Sequence, residues 1–200
     1  MKTLSHLKRT IFGATLFASL IFALSSCGET KNAESEEDSK EVAEEKNEET
    51  FDTRASEKDA QFLVNAAETG MMEVKLAQLA LTKSKNADVK ELATMMETEH
   101  TKANLALNEL AGKKNISIPT ALTTDGEDAY KKLSDLDGAK FDKEYCEMMV
   151  KGHSDVVDRF EKASNDATDM DIKNWASTML PTLRAHLEYS KTCKDKTDKI

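Results

Sequence analysis

Three histidines and two glutamates are the side chains of this sequence best suited to holding a metal ion. His100, His153 and His186 fall one each in three separate segments with helical periodicity. On helical wheels, His153 and His186 lie in the middle of apolar stripes, and Glu99 lies within a stripe whose edge carries His100. Glu73 falls among the apolar positions of the preceding helical segment. Imidazole and carboxylate groups suit Zn, Fe, Mn or Cu, so these five residues are the candidate metal ligands.

The depths of these residues along the predicted helices match. In an antiparallel helical hairpin, the numbers of facing residues have a constant sum. With turns near positions 86 and 169, His100 faces about Glu73, and His153 faces His186. The second helix ends near position 112 and the third begins near 139, which places His100 and His153 at similar depth if both ends lie on the same side. We therefore expect the candidate ligands to converge at one level.

Two alternatives to a metal site stay open from the sequence. In the first, Glu73 and Glu99 accept hydrogen bonds from the histidine rings and form a polar layer in the core. In the second, the three histidines are unrelated structural residues. A buried ionised glutamate is unfavourable unless it is paired or bound to a metal, so both the metal site and the polar layer account for Glu73 better than unrelated histidines do.

The spacing favours one metal ion over a di-iron centre. Di-iron carboxylate bundles carry Glu-x-x-His on two helices. Glu97 precedes His100 with this spacing, but Glu97 lies at the flank of its helix. Val150 and Leu183 stand where a second motif needs glutamate. The predicted cofactor is therefore a single transition-metal ion, Zn, Fe or Cu.

No residue pattern completes a catalytic set. The sequence has no nucleophile with an adjacent base, no glycine-rich phosphate loop and no Cys-x-x-Cys pair, so an enzyme is not predicted. A formal net charge of −9 disfavours nucleic acid as a partner, because phosphate binding needs clustered Lys and Arg. The leading hypothesis is a metal-binding or stress-sensing protein, and its rivals are a non-catalytic interaction module and a metal-dependent oxidase.

The elements that must position these residues are helices. Seven glycines and two prolines in 200 residues favour an all-α protein. Gly112 is the predicted end of the second long helix. Two helical hairpins joined by a longer crossover between helices two and three predict a four-helix bundle over residues 56–200, and an open helical array is the alternative. The apolar stripes predict helices over 56–82, 87–111, 126–136, 140–163 and 171–192.

The N-terminus has the features of an export signal over residues 1–26. A basic start precedes an apolar run over 11–24, which is too short to span a bilayer comfortably. The run ends in Ser25-Ser26-Cys27-Gly28, which resembles a bacterial lipobox, in which Cys27 is lipidated. Ordinary cleavage near Ser26, which leaves Cys27 free, is the alternative. We expect an exported, lipid-anchored protein of the bacterial cell envelope, at the outer membrane. Its expected partner is the membrane itself, which it contacts through the lipid anchor.

An acidic segment follows the lipidated cysteine. Residues 28–50 carry ten acids, three lysines and no aromatic residue. A segment of this composition buries too little apolar surface to fold by itself. The sequence therefore predicts a disordered tether over residues 27–55, which holds the helical domain away from the membrane.

Two cysteines share the spacing of two histidines. Cys146 stands seven residues before His153, and Cys193 stands seven residues after His186. Seven residues make two helical turns, so the cysteines face each other if the histidines do. Export permits a Cys146–Cys193 disulfide, which we predict, and two buried free thiols are the alternative.

An ordered set of residues resembles a known family. Its parts are Phe62-x3-Ala66-Ala67-x2-Gly70-x2-Glu73-Val74, Glu99-His100 with Asn104, Pro119, Phe141-Asp142-x2-Tyr145, His153, and Leu180-Pro181-x4-His186-Leu187. Over residues 56–192 this set resembles the domain-of-unknown-function family 4142, a ferritin-like group of bacterial envelope proteins. The resemblance implies a ferritin-like four-helix fold and supplies no established reaction. The family usually has Asp before the second-helix histidine, whereas this sequence has Glu99.

Overall fold

All regular structure in the described part of the chain is helical. The structure is a computed structural model, and it describes residues 38–199. The all-α prediction is confirmed, although six helices replace the predicted four long helices and one short one. Within residues 38–199, no helix has both the length and the apolar character needed to cross a membrane. The helices are α1 (Ser39–Thr50), α2 (Arg54–Lys83), α3 (Ala87–Lys114), α4 (Thr124–Ser134), α5 (Gly138–Asp166) and α6 (Met170–Thr197).

The four long helices form two hairpins, α2 with α3 and α5 with α6, and these two pairs make the most extensive contacts. Asn86 caps α3, because its side-chain oxygen accepts from the backbone N–H groups of Asp88 and Val89. Asp169 caps α6 in the same way. Ser84 donates from Oγ to Asp142 Oδ1 at 2.6 Å, which ties the first hairpin to α5. The hairpin turns therefore lie where the sequence predicts them.

The end of α3 differs from the prediction at Gly112. The helix continues to Lys114 and ends at Asn115, which has a left-handed backbone with φ of 55°. Asparagine tolerates this conformation better than most residues, and it closes the helix as glycine otherwise does. The N–H of Ile116 then donates to the Ala111 carbonyl at 3.0 Å, and the Ile116 side chain is buried. The last helical residue, Lys114, therefore lies two residues after Gly112.

The prediction of disorder through residue 55 is wrong for residues 39–50, which form α1. The helix is held by polar contacts with distant parts of the chain. Asn47 donates from Nδ2 to the Ser117 carbonyl at 2.8 Å and accepts from the Ser117 N–H at 2.7 Å. Lys40 pairs with Glu68 of α2 at 2.7 Å. Ala43 is also buried. These contacts replace the apolar burial that the segment lacks.

The core has two apolar regions with buried polar side chains between them. One region surrounds Leu76, Leu92 and Tyr145 near the α2–α3 turn. The other contains Leu63, Ile172 and the aromatic contacts near the α5–α6 turn. The buried histidines and Glu73 stand between these regions along the helices. The two hairpins therefore bring four helices to one level in the middle of the bundle.

Asp59 connects the start of α2 to the α5–α6 turn, and its removal is expected to destabilise the protein. Its carboxylate accepts from the Thr168 N–H, the Thr168 hydroxyl and the Asp169 N–H at 2.7–3.3 Å. Hydrogen bonds to charged groups contribute more to stability than hydrogen bonds between neutral groups. Asp59→Ala should therefore lower the free energy of unfolding by about 2–3 kcal/mol. Urea denaturation measures the loss, and Asp59→Asn should lose less. An unchanged midpoint in Asp59→Ala would contradict this role.

Candidate metal centre

Three imidazoles meet in the middle of the bundle. His100 comes from α3, His153 from α5 and His186 from α6, and at most 5% of each residue is exposed. Each ring offers one nitrogen, and these three nitrogens all lie within 4.8 Å of one another. The ring centroids are 5.1–5.3 Å apart. The structure thus brings together three of the five residues selected from the sequence as a convergent set of nitrogen donors.

His100 and His153 approach each other through their Nε2 atoms, which lie 3.3 Å apart. The opposite nitrogen of each ring has its own neighbour. His153 Nδ1 lies 3.0 Å from the Met149 carbonyl, an acceptor that fixes the proton on Nδ1. His100 Nδ1 lies 3.1 Å from Glu73 Oε2. Both rings therefore turn Nε2 toward the centre.

Glu73 is a buried carboxylate beside two of the rings. It is 1% exposed, and its Oε1 lies 3.3 Å from His153 Nδ1. Although both oxygens are within ion-pair distance of a ring nitrogen, neither receives an aligned hydrogen bond from the described residues. Burial raises the pKa of Glu73. A carboxylate in this position is unfavourable without a nearby positive charge.

Glu99 reaches the site from its rim. Its Oε2 lies 3.1 Å from His186 Nε2, and its side chain is 47% exposed. His186 Nδ1 is buried and has no hydrogen-bond partner in the described residues. Glu97 is not part of the cluster, because its carboxylate accepts from Gln78 Nε2 at 3.0 Å. The structure therefore leaves one unpartnered nitrogen on His186.

The surroundings of the rings favour their neutral form. Burial lowers the pKa of His100 to about 4 and that of His153 to about 4. Burial also lowers the pKa of His186, and the neighbouring His153 adds to this effect. A neutral imidazole keeps a lone pair on one nitrogen, which is the form that binds metal ions. At neutral pH the three rings are therefore available as donors without losing a proton.

The two cysteines are neighbours but are not bonded. Cys146 and Cys193 are buried free thiols, so the predicted disulfide is absent from the structure. Their sulfur atoms lie 2.6 Å apart, which exceeds the bond length of about 2.05 Å in a disulfide. The helical register brings the thiols together as predicted, and the covalent bond is the part that the structure does not contain.

The family model for a domain of unknown function, DUF4142, matches residues 44–192. The chain belongs to the DUF4142 family. The match begins inside α1, so the family domain includes part of the segment that the sequence assigned to a tether. No curated protein matches the sequence significantly.

One solved structure similar to this DUF4142 protein is the crystal structure of a DUF305 fragment from Deinococcus radiodurans. The two chains share 14% sequence identity with a TM-score of 0.60, and the match covers 71% of this chain and 96% of that chain. At this identity the likeness concerns the fold alone.

Sequence reasoning missed two contributors to the site. The backbone carbonyl of Met149 has no signature in the sequence, since every residue carries one. Gly152 lies against Glu73, and a Cβ on Gly152 would make an ordinary van der Waals contact of 3.4 Å with Glu73 Oε1. The five candidate residues are neighbours in the structure. The two glutamates, Glu73 and Glu99, lie beside the rings of His100, His153 and His186.

Proposed function

We propose that this DUF4142 protein binds one transition-metal ion through His100, His153 and His186. The separation of 3.3 Å between the Nε2 atoms of His100 and His153 is the main support. Two nitrogens at 2.0–2.1 Å from a tetrahedral ion lie about 3.3–3.4 Å apart. The two rings therefore already have the spacing that such an ion requires.

The second nitrogen of each ring supports the same assignment. Metal-bound histidines usually donate their other N–H to a carboxylate or a backbone carbonyl, which fixes the ring orientation. Here Glu73 stands beside His100, the Met149 carbonyl beside His153, and Glu99 beside His186. The sequence placed Glu73 and Glu99 among the ligands, and this geometry favours them as the outer partners of ligating rings. A bound cation would also compensate the buried charge of Glu73.

The ligand type favours Zn, Fe or Cu, ions that imidazole suits. Three protein ligands leave a fourth position open to water or another small ligand. Residues 38–199 supply no second Glu-x-x-His motif at the site, so one ion is proposed rather than two. The competing hypothesis is a polar layer that only fixes the register of the helices, with the protein acting as an interaction module.

The metal content of the protein distinguishes the metal-site hypothesis from the polar-layer hypothesis. The full-length protein, freed of metal and then dialysed against Zn²⁺, Fe²⁺ or Cu²⁺, should retain one equivalent of at least one ion per chain. Elemental analysis measures this ratio. A protein that retains none of the three ions would contradict the metal site and leave the hydrogen-bonded layer as the role of the histidines.

Two further parts of the proposal concern the fold family and the location. The four long helices support a ferritin-like bundle to which α1 and α4 are added. The basic start, apolar run and lipobox-like ending support export and lipid anchoring in the bacterial cell envelope, at the outer membrane. Cys27 lies outside the described residues.

Replacing Cys27 tests the anchor. Cys27→Ser should abolish incorporation of labelled fatty acid and move the protein from the membrane fraction to the soluble envelope fraction, because the acylated residue is lost. The matched control is Ser26→Ala, which keeps the cysteine and a small residue before it. Equal labelling of Cys27→Ser and the natural protein would contradict lipidation at this position.

A further inference from the structure

A cavity of about 360 Å³ lies inside the bundle beside the histidine cluster. Helices α2, α3, α5 and α6 contribute its walls, and the lining on α2 runs from Lys58 to Glu73. That stretch of helix is about 22 Å long at the usual rise per residue. The cavity is therefore elongated. Its apolar walls include Phe62, Leu107, Phe160, Trp175, Met179 and Leu183.

An aromatic group forms one wall and carries an unused donor. The ring of Phe62 lies 4.9 Å from that of Phe160 and 5.9 Å from that of Trp175, measured between centroids. Trp175 is the one tryptophan of the chain. Its Nε1 is buried and has no partner among the described residues. An indole nitrogen donates only, and this N–H has no acceptor among the described residues.

The exposed end of the cavity is cationic. Lys58, Arg159 and Lys162 line it, are exposed, and take part in no ion pair within residues 38–199. Two acids also line this end of the cavity, and a third, Glu73, lines its inner end. Asp59 directs its carboxylate to the α5–α6 turn but keeps its charge, so Asp59 and Asp166 offset part of the charge of the three cations. In a protein with a net charge of −9, this end attracts anions.

Gly70 and Asn104 line the cavity toward its inner end. A Cβ on Gly70 would lie 2.1 Å from Asn104 Oδ1, so the absent side chain lets the amide of Asn104 lie directly against α2. Glu73 and His100 lie beyond this point and also line the cavity. The apolar part of the cavity thus extends from the exposed cations inward to Asn104.

We propose that this cavity binds a single-chain amphiphilic anion of the fatty-acid type. The elongated apolar walls fit a hydrocarbon chain better than a compact ring system. The carboxylate lies at the exposed end, where it meets Arg159 and Lys162. The chain extends inward along Phe62 and Leu107. This inference goes beyond metal binding. Of the three proposed metal ligands, His100 lines the inner end of the cavity, whereas His153 and His186 do not line it.

Fluorescence of Trp175 tests the proposal on the full-length, metal-free protein. Decanoate, kept below its micelle-forming concentration, should change the emission saturably. Decyltrimethylammonium has the opposite head charge, and decanol has none, so both should bind more weakly than decanoate. No saturable change with decanoate, or equal binding of decanol and decanoate, would overturn the proposal.

Variants locate the bound anion. Arg159→Gln and Lys162→Gln should each weaken decanoate binding by about 2–5-fold, because each removes one exposed charge contact. Lys151→Gln is the matched control, since Lys151 is an exposed lysine of the same helix outside the cavity lining. Ala66→Phe fills the cavity and should abolish binding. Unchanged affinity in both charge variants, or in a folded Ala66→Phe, would overturn the assignment.

A last comparison separates this inference from the metal proposal. His153→Ala should still bind decanoate with the affinity of the natural protein, whatever its metal content. Loss of decanoate binding in a folded His153→Ala protein would show that the fluorescence change reports on the histidine cluster, and it would overturn the cavity as a separate site. Thermal unfolding of each variant establishes that it is folded at the temperature of the titration.

Discussion

Replacement of His153 by alanine is expected to weaken Zn²⁺ binding by at least about 100-fold, since the loss of an outer partner alone costs about 10–100-fold. His153 is fully buried, and its Nε2 is one of the two nitrogens that stand 3.3 Å apart. Its loss leaves only two of the three imidazole ligands. Competition with a chromophoric chelator of known affinity measures the change.

The control for His153→Ala is Met149→Ala. Met149 precedes His153 by one turn on α5 and is 1% exposed, so its truncation also leaves a cavity in the core. Its backbone carbonyl, which accepts from His153, is retained. Met149→Ala should lose about 2–5 kcal/mol of stability and keep its Zn²⁺ affinity while folded. Binding by His153→Ala within threefold of the natural protein would refute its role as a ligand.

Replacement of Glu73 by glutamine is expected to change metal affinity and stability in opposite directions. Glutamine is nearly isosteric but lacks the charge that favours a cation and strengthens the His100 ring as a ligand. Zn²⁺ affinity should fall by about 10–100-fold. The metal-free protein should become more stable by about 1–3 kcal/mol, because a buried carboxylate without aligned hydrogen bonds is removed. Chelator competition and urea denaturation measure the two effects.

Glu97→Gln is the matched control for Glu73→Gln. Glu97 lies on α3 three residues before His100, but its carboxylate accepts from Gln78 and does not reach the histidines. Neither the Zn²⁺ affinity nor the stability of the metal-free protein should change much, since exposed polar contacts contribute little. Unchanged Zn²⁺ affinity in Glu73→Gln would remove Glu73 from the site. A less stable metal-free protein would show that the carboxylate is satisfied by the neutral rings alone.

Local periodicity was sufficient to predict the long helices but not α1. The apolar stripes of α2, α3, α5 and α6 repeat within each helix, so they are visible in the sequence. The stability of α1 instead depends on Asn47 meeting the Ser117 backbone and on Lys40 meeting Glu68, seventy and twenty-eight residues away. Polar contacts at such separations leave no periodic pattern.

The site was predictable in position and less so in detail. Counting from the hairpin turns selects His100, His153 and His186, because antiparallel helices fix the register. The division between ligands and outer partners depends on ring orientation, which the Met149 carbonyl and the Glu73 carboxylate determine. The cavity was not predicted, since the apolar stripe of α6 assigns Trp175 to the core without showing the space beside it.

X-ray absorption at the Zn edge, on full-length protein loaded with one equivalent of Zn²⁺, tests the metal centre most directly. We predict three imidazole nitrogens at about 2.0–2.1 Å and one further light-atom ligand. Scattering from sulfur at about 2.3 Å would place the ion on Cys146 and Cys193 instead. That result, or a spectrum with fewer than two imidazoles, would contradict a metal centre built from His100, His153 and His186.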